Sequence, residues 1–226
     1  MHFDYDSPII RFINKGADLL VLNLLFLVCS LPVVTIGASL TAMYAVNLRS
    51  VRYGDGYVVQ TFFKSLKESF VQATVAWLIV LGCGLLIFFD IRFWSVMGSG
   101  FIQKMMLAVS YALAGILFAL VTWLFPLIAK MKDSLKNQFA NAAKMAVGYF
   151  IPYTLACLLI QGISVFLATV NVAMLLLMLV IGIAIVSYMC SFFLYRVFAK
   201  HIKEESMGVD DLLYQDGSGD NETSKN

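Results

Sequence analysis

The sequence predicts an all-α fold, a polytopic transmembrane helical bundle with five or six spans. Three observations lead to this class. The 226-residue chain is 61% hydrophobic, and only 13% of its residues are charged, against about a quarter in soluble domains. Long runs without a charged side chain alternate with short basic segments. Because lipid offers no partner for free backbone N–H and C=O groups, such runs must be helical.

Four of the spans follow from the uncharged runs. Residues 69–89 and residues 105–129 each contain no charged side chain, and each is long enough for the roughly 20 residues that one helical crossing needs. Residues 145–195 form a longer uncharged run. That run predicts two spans joined tightly near residues 168–171.

The first uncharged run, residues 19–48, contains Pro32 and Gly37. Proline removes a backbone donor and disfavours helix at the residue before it, and glycine permits an irregular turn. We therefore predict one helix over residues 9–31, a break at Pro32–Gly37, and a second helix over residues 37–53. The alternative is a single kinked and tilted crossing.

Basic residues predict the sidedness. Residues 49–68, residues 130–144 and the segment after residue 195 are richer in Lys and Arg than residues 90–104 and 168–171. By the positive-inside rule, the richer segments and the C-terminus face the cytoplasm of a multi-pass plasma-membrane protein. A broken first region places the N-terminus on the same side, with six crossings, whereas a kinked one gives five.

A short internal repeat precedes two of the spans. "SLKESFVQA" at 65–73 resembles "SLKNQFANA" at 134–142. Each copy predicts a basic amphipathic helix at the membrane interface. Either a duplicated unit or the common composition of such helices explains the likeness. The predicted apolar stripe of the first copy is Val59, Phe62, Phe63, Leu66 and Phe70, and the predicted interfacial basic residues are Lys64, Lys67, Lys132 and Lys136.

Polar residues flank the predicted break and are the candidate site. A broken helix exposes backbone groups, which must be buried in protein or line water. One interpretation is a polar cavity at Pro32–Gly37, and the other is hydrogen bonding between neighbouring helices. The candidate residues are Asp18, Asn23, Pro32, Thr35, Gly37, Ser39, Thr41 and Tyr44.

Sequence motifs for enzymatic chemistry are missing. The chain contains no nucleophile elbow, Walker loop or HExxH motif, and the four cysteines include no CxxC pair. We therefore expect no enzyme, cofactor or metal site, and we interpret the cysteines as small buried apolar residues. The net charge of +2 gives no support for a nucleic-acid partner.

The two ends of the chain differ in character. Residues 1–203 are predicted to form one integral membrane helical domain. Residues 204–226 are acidic and rich in turn-forming residues, so we predict a disordered cytoplasmic tail.

The segments "NLLFLVCSLPVVTIGASLTAMY" at 23–44 and "FFKSLKESF" at 62–70 resemble the YesL family. The resemblance covers most of residues 5–200. It implies a bacterial membrane protein of unassigned function. Such proteins are encoded, mostly in Gram-positive bacteria, beside sugar-uptake ABC transporters, sensor kinases and polysaccharide-degrading enzymes. It transfers no catalytic residue.

Two functions are therefore expected. The first is a non-enzymatic accessory or regulatory partner of carbohydrate uptake or sensing, which contacts the lipid bilayer and subunits of a sugar ABC transporter or a sensor kinase. The second is a small carrier or channel for neutral sugars or oligosaccharides. The second function would need a homo-oligomer, because six spans leave little room for a sugar path.

Overall fold

The structure, a computed structural model, describes residues 8–54, 57–97, 100–149 and 153–201. The ordered backbone of these stretches is helical and contains no strand, which confirms the all-α prediction. The helices are α1 (Pro8–Cys29), α2 (Ile36–Tyr53), α3 (Val58–Val96), α4 (Phe101–Lys130), α5 (Leu135–Gly148), α6 (Leu155–Val170), α7 (Val172–Leu177) and α8 (Ile183–His201). A 3₁₀ turn at Val33–Thr35 follows α1, and a π turn at Met178–Gly182 joins α7 to α8.

Three helical segments among the described residues are long and apolar enough to cross a membrane. They are Val58–Val96, Phe101–Lys130 and Val172–Phe198. The end of α3 and the start of α4 contact each other, as the hydrogen bond between Ser110 and Asp90 shows. Most of the large apolar side chains of these two segments are exposed. Such a surface is typical of a protein that faces lipid, because water would not tolerate apolar patches of this extent.

The first uncharged run folds back on itself. Lys15 near the start of α1 contacts Ser50 near the end of α2, while Leu22 and Phe26 pack with Ala42 and Met43. These contacts make α1 and α2 antiparallel. The chain reverses between Cys29 and Ile36, as the interruption at Pro32–Gly37 predicted.

The second helix, α2, is the centre of the bundle. Twelve of its eighteen residues are buried, although it carries Ser, Thr, Asn and Arg side chains. Helices α1, α3, α4 and α8 all pack against it. The more apolar helices therefore lie around a more polar one, the arrangement expected when lipid is the solvent.

The first predicted amphipathic helix does not exist as a separate element. α3 continues without interruption from Val58 to Val96, because no proline occurs in this segment. The predicted stripe is also divided. Phe62 is buried and Leu66 packs against the core, whereas Val59, Phe63 and Phe70 are exposed. The inward face carries small side chains instead, namely Thr61, Ser65, Ala73 and Ala76.

The second predicted amphipathic segment is a separate helix, α5. Ser134 caps it by accepting a hydrogen bond from the Asn137 backbone N–H at 3.4 Å. Because α5 extends to Gly148 and α6 begins only at Leu155, the span predicted from residue 145 begins later than expected. The tight joint predicted near residues 168–171 is confirmed, since Asn171 separates α6 from α7.

The first copy of the repeat contacts the loop that directly precedes the second copy. The Lys132 ammonium lies 3.2 Å from the Glu68 carboxylate, and the Gln72 side-chain amide donates to the Asp133 carbonyl oxygen at 2.6 Å. Ala73 and Ala142 occupy equivalent places in the two copies and are both fully buried. Lys64 is half-buried, whereas Lys67, Lys132 and Lys136 are exposed.

The last helix also packs against α2, and it does so antiparallel. Asn47 donates to the Ser187 hydroxyl at 2.7 Å, while Tyr44 lies beside Cys190. Cys157 and Cys190 are buried, as predicted for all four cysteines, but Cys83 is exposed and Cys29 is half-buried. The tail predicted at residues 204–226 lies outside the described residues.

Candidate functional site

The break between α1 and α2 is closed by two side-chain hydrogen bonds. The Thr35 hydroxyl lies 2.6 Å from the Cys29 carbonyl oxygen and 2.8 Å from that of Pro32, and its single proton serves one of them at a time. The Trp77 indole N–H donates to the Val33 carbonyl oxygen at 2.8 Å. The Cys29 carbonyl group at the end of α1 therefore finds a donor within the protein, and the turn that follows is tied to α3 through Trp77.

Gly37 brings the start of α2 against α3. A Cβ atom at this position would collide with the Trp77 side chain and would lie 2.8 Å from the Ala73 carbonyl oxygen. A residue with a side chain therefore cannot take this position without moving the two helices apart. Gly37 is thus required for close helix approach, whereas the sequence suggested a role in the turn.

The polar residues of α2, which we call the column of α2, are buried inside the bundle on more than one face of the helix. Thr41 donates to the Gly37 carbonyl oxygen of its own helix at 2.9 Å. Ser39 is completely buried, and its hydroxyl oxygen has no hydrogen-bond partner among the described residues. Tyr44 is buried beside Cys157 and Cys190. The side chains of this column point into packed protein.

Asn23 holds the π turn before α8. Its side-chain N–H donates to the Leu179 carbonyl oxygen at 2.5 Å, and its side-chain oxygen accepts from the Ala184 backbone N–H at 3.1 Å. A π turn shifts the regular backbone hydrogen bonds, and the fully buried amide of Asn23 satisfies one group inside the turn and one just after it. Asn23 therefore hydrogen-bonds a neighbouring helical segment.

The structure does not bring all predicted residues to one place. Asp18 is half-buried on α1, about 18 Å along the helix axis from the break at 1.5 Å per residue. Pro32 is exposed at the turn. The eight candidates therefore lie in four places. Pro32, Thr35 and Gly37 form what we call the clamp at the break, and Ser39, Thr41 and Tyr44 belong to the column of α2. Asn23 lies at the π turn, and Asp18 lies apart from the others.

Several polar contacts were missed by the sequence analysis. Asn47 pairs with Ser187 across α2 and α8, and Arg49 is buried beside Thr61. The thiols of Cys157 and Cys190 lie close together in the bundle. The recurrence of Ser39, Asn47 and Ser50 in a membrane helix was a usable signal for the central place of α2, because polar groups avoid lipid.

Asn23→Leu separates the two interpretations of the polar residues. It leaves the Leu179 carbonyl and the Ala184 N–H without their side-chain partner, so we expect the free energy of unfolding to fall by about 2 kcal/mol. Denaturant titration of the purified protein measures this loss. Asn14→Leu on the exposed face of α1 is the control and should change stability little. Unchanged stability of Asn23→Leu would contradict its role in holding the π turn.

The clamp and the column of α2 both lie within a region that matches a protein-family model. Residues 19–91 match the family model described as "Protein of unknown function, DUF624". YesL-family proteins carry DUF624. The matched residues contain half of α1, the break, all of α2 and most of α3. No curated protein and no solved structure matches the chain.

Proposed function

We propose that this protein is a non-enzymatic integral membrane protein that acts as an accessory or regulatory partner of carbohydrate uptake or sensing. One observation carries the non-enzymatic part. Several polar side chains of the matched residues 19–91 are occupied in hydrogen bonds between or within helices, as those of Asn23, Thr35 and Thr41 are. Groups used in this way stabilise a scaffold and are not free to act on a substrate. The resemblance to YesL proteins supplies the link to carbohydrate uptake.

We propose five or six crossings, with the C-terminus on the cytoplasmic face of the plasma membrane. The antiparallel pair of α1 and α2 supports six, with the N-terminus on the same face. The antiparallel contact of α2 with α8 favours an odd number instead, since six upright crossings would run both helices toward the cytoplasm. Tags at the two ends, tested for labelling in intact and opened cells, decide the matter. Labelling on opposite faces would exclude six crossings.

The proposed partners are membrane subunits of a sugar transporter or a sensor kinase. The exposed Lys67, Lys132 and Lys136 would face anionic headgroups or acidic segments of such a subunit. Affinity purification of the tagged protein in mild detergent should recover the subunit from cells grown on polysaccharide. Replacing these lysines with glutamine should reduce recovery. Purification of the chain alone under all growth conditions would contradict the proposal.

The alternative is a carrier or channel for neutral sugars. The buried Ser39 hydroxyl without a partner favours it, because an unsatisfied donor inside the bundle could bind a solute hydroxyl. Proteoliposomes containing the protein should then show sugar flux that Thr41→Val or Ser39→Ala reduces. Absence of flux across a panel of mono- and oligosaccharides would eliminate this function and leave the accessory role.

A further inference from the structure

The end of α2 next to α3 collects cationic side chains. Lys15 of α1 contacts the Ser50 hydroxyl, and its ammonium also lies 5.1 Å from the centre of the Tyr188 ring. Arg49 precedes Ser50 on the same turn and faces the start of α3. Residues of α1, α2, α3 and α8 thus lie at this corner of the bundle. We call it the Arg49 corner (Lys15, Arg49, Ser50, Tyr57, Thr61 and Tyr188).

Arg49 is the unusual member of the Arg49 corner. Only 8% of the residue is exposed. Its Nη1 lies 3.3 Å from the Thr61 hydroxyl, a long hydrogen bond, and its guanidinium lies 5.6 Å from the centre of the Tyr57 ring. Its Nε is enclosed and has no hydrogen-bond partner among the described residues.

The charge of Arg49 is not balanced by a carboxylate in the part of the chain that the structure describes. Arginine stays protonated in proteins, and removing a cation from water without an ionic partner is strongly unfavourable. A hydroxyl and an aromatic ring compensate only part of this loss. The remaining donors of the planar guanidinium fit two oxygens of one anion.

We infer that the Arg49 corner binds a phosphate group. Arg49 would supply the positive charge, with the Thr61 hydroxyl as the neutral group beside it. Phosphate suits the site because arginine binds it through two hydrogen bonds. Basic pockets between membrane helices bind phospholipid headgroups on the cytoplasmic side. The phosphate belongs to such a headgroup or to a free anion. This inference does not depend on the proposed role in carbohydrate uptake.

The experiment uses the full chain, purified in detergent and tested with three probes. Native mass spectrometry compares retention of phosphatidylglycerol with that of phosphatidylcholine, and thermal unfolding measures stabilisation by inorganic phosphate. We expect the anionic lipid to be retained preferentially. Arg49→Gln should weaken that binding about tenfold or more, because it removes a charge-assisted pair of hydrogen bonds. Arg196→Gln removes one charge from an exposed site on α8 and should leave retention unchanged.

The outcomes distinguish the sources of the phosphate. Loss of lipid retention in Arg49→Gln assigns the site to a lipid headgroup. Stabilisation by inorganic phosphate that this variant abolishes assigns it to a free anion. Equal retention of both lipids by the unmodified protein, without stabilisation by phosphate, would overturn the inference even if Arg49→Gln fails to fold. Arg49→Lys keeps the charge without the planar fork, so undiminished binding by it would also contradict the proposed geometry.

Discussion

Replacing Gly37 with valine is expected to destabilise the protein by about 3 kcal/mol, near the upper end for overpacked sites. The new Cβ would collide with the Trp77 side chain and approach the Ala73 carbonyl oxygen, an atom of the α3 backbone. A backbone atom cannot rotate away, so α2 and α3 must separate. Their separation would also strain the hydrogen bond from Trp77 to the Val33 carbonyl. Thermal or denaturant unfolding in detergent measures the effect.

Gly82→Val is the matched control for Gly37→Val. Gly82 lies in α3, the helix that Gly37 of α2 contacts, but a Cβ atom at Gly82 would meet nothing within 4 Å. Valine at this lipid-facing position should change the unfolding free energy by well under 1 kcal/mol, since a β-branched residue costs little in a helix. Equal losses from the two substitutions would show that close approach at Gly37 is not what limits stability.

Replacing Trp123 with alanine should cause the largest loss, about 4 kcal/mol. Trp123 is completely buried in α4. Its ring packs against Tyr149 and Phe198, with ring centres 6.2 Å apart in both pairs. Its indole N–H donates to the Thr154 hydroxyl at 2.8 Å, just before α6. Alanine would leave a cavity where α4, α6 and α8 meet. Chemical denaturation should therefore begin at lower denaturant concentration.

Two variants serve as controls for Trp123→Ala. Trp94→Ala removes a half-buried ring near the end of α3, where packing is sparse, and should cost clearly less. Trp123→Phe keeps most of the ring but removes the N–H, so its loss should be intermediate. If Trp94→Ala and Trp123→Ala were equally destabilising, the junction of α4, α6 and α8 would not be the main core of the bundle.

Local chemistry made part of this fold predictable. Proline and glycine act on the backbone within a few residues, so the interruption at Pro32–Gly37 could be predicted from sequence. The reversal near Asn171 could be predicted because the uncharged run of residues 145–195 is too long for one crossing. The continuity of α3 could not be predicted, because a run of lysine and phenylalanine before an apolar segment is compatible both with a separate surface helix and with one long helix. In the long helix that forms, small residues such as Ala73 and Ala76 pack against α2.

The candidate site was less predictable than the fold. Polar side chains near the break were identified from their position, but their partners lie far away in sequence. Asn23 binds residues more than 150 positions later, and no local pattern indicates such a contact. Arg49 was treated only as a marker of the cytoplasmic side. Its burial depends on how α2 and α3 meet, which only the three-dimensional arrangement reveals.

The central place of α2 has a consequence for biogenesis. A segment with Asn47, Arg49 and Ser50 is a poor substrate for insertion on its own, since polar and charged side chains in a membrane helix are unfavourable until other helices cover them. The helices α3, α4 and α8, which cover α2, are synthesised after it, so the polar side chains of α2 stay exposed to lipid or to the insertion machinery until those helices arrive. A nascent chain stopped before Ser187 should therefore be held by the insertion machinery or degraded, and assembly finishes only when the last helix arrives.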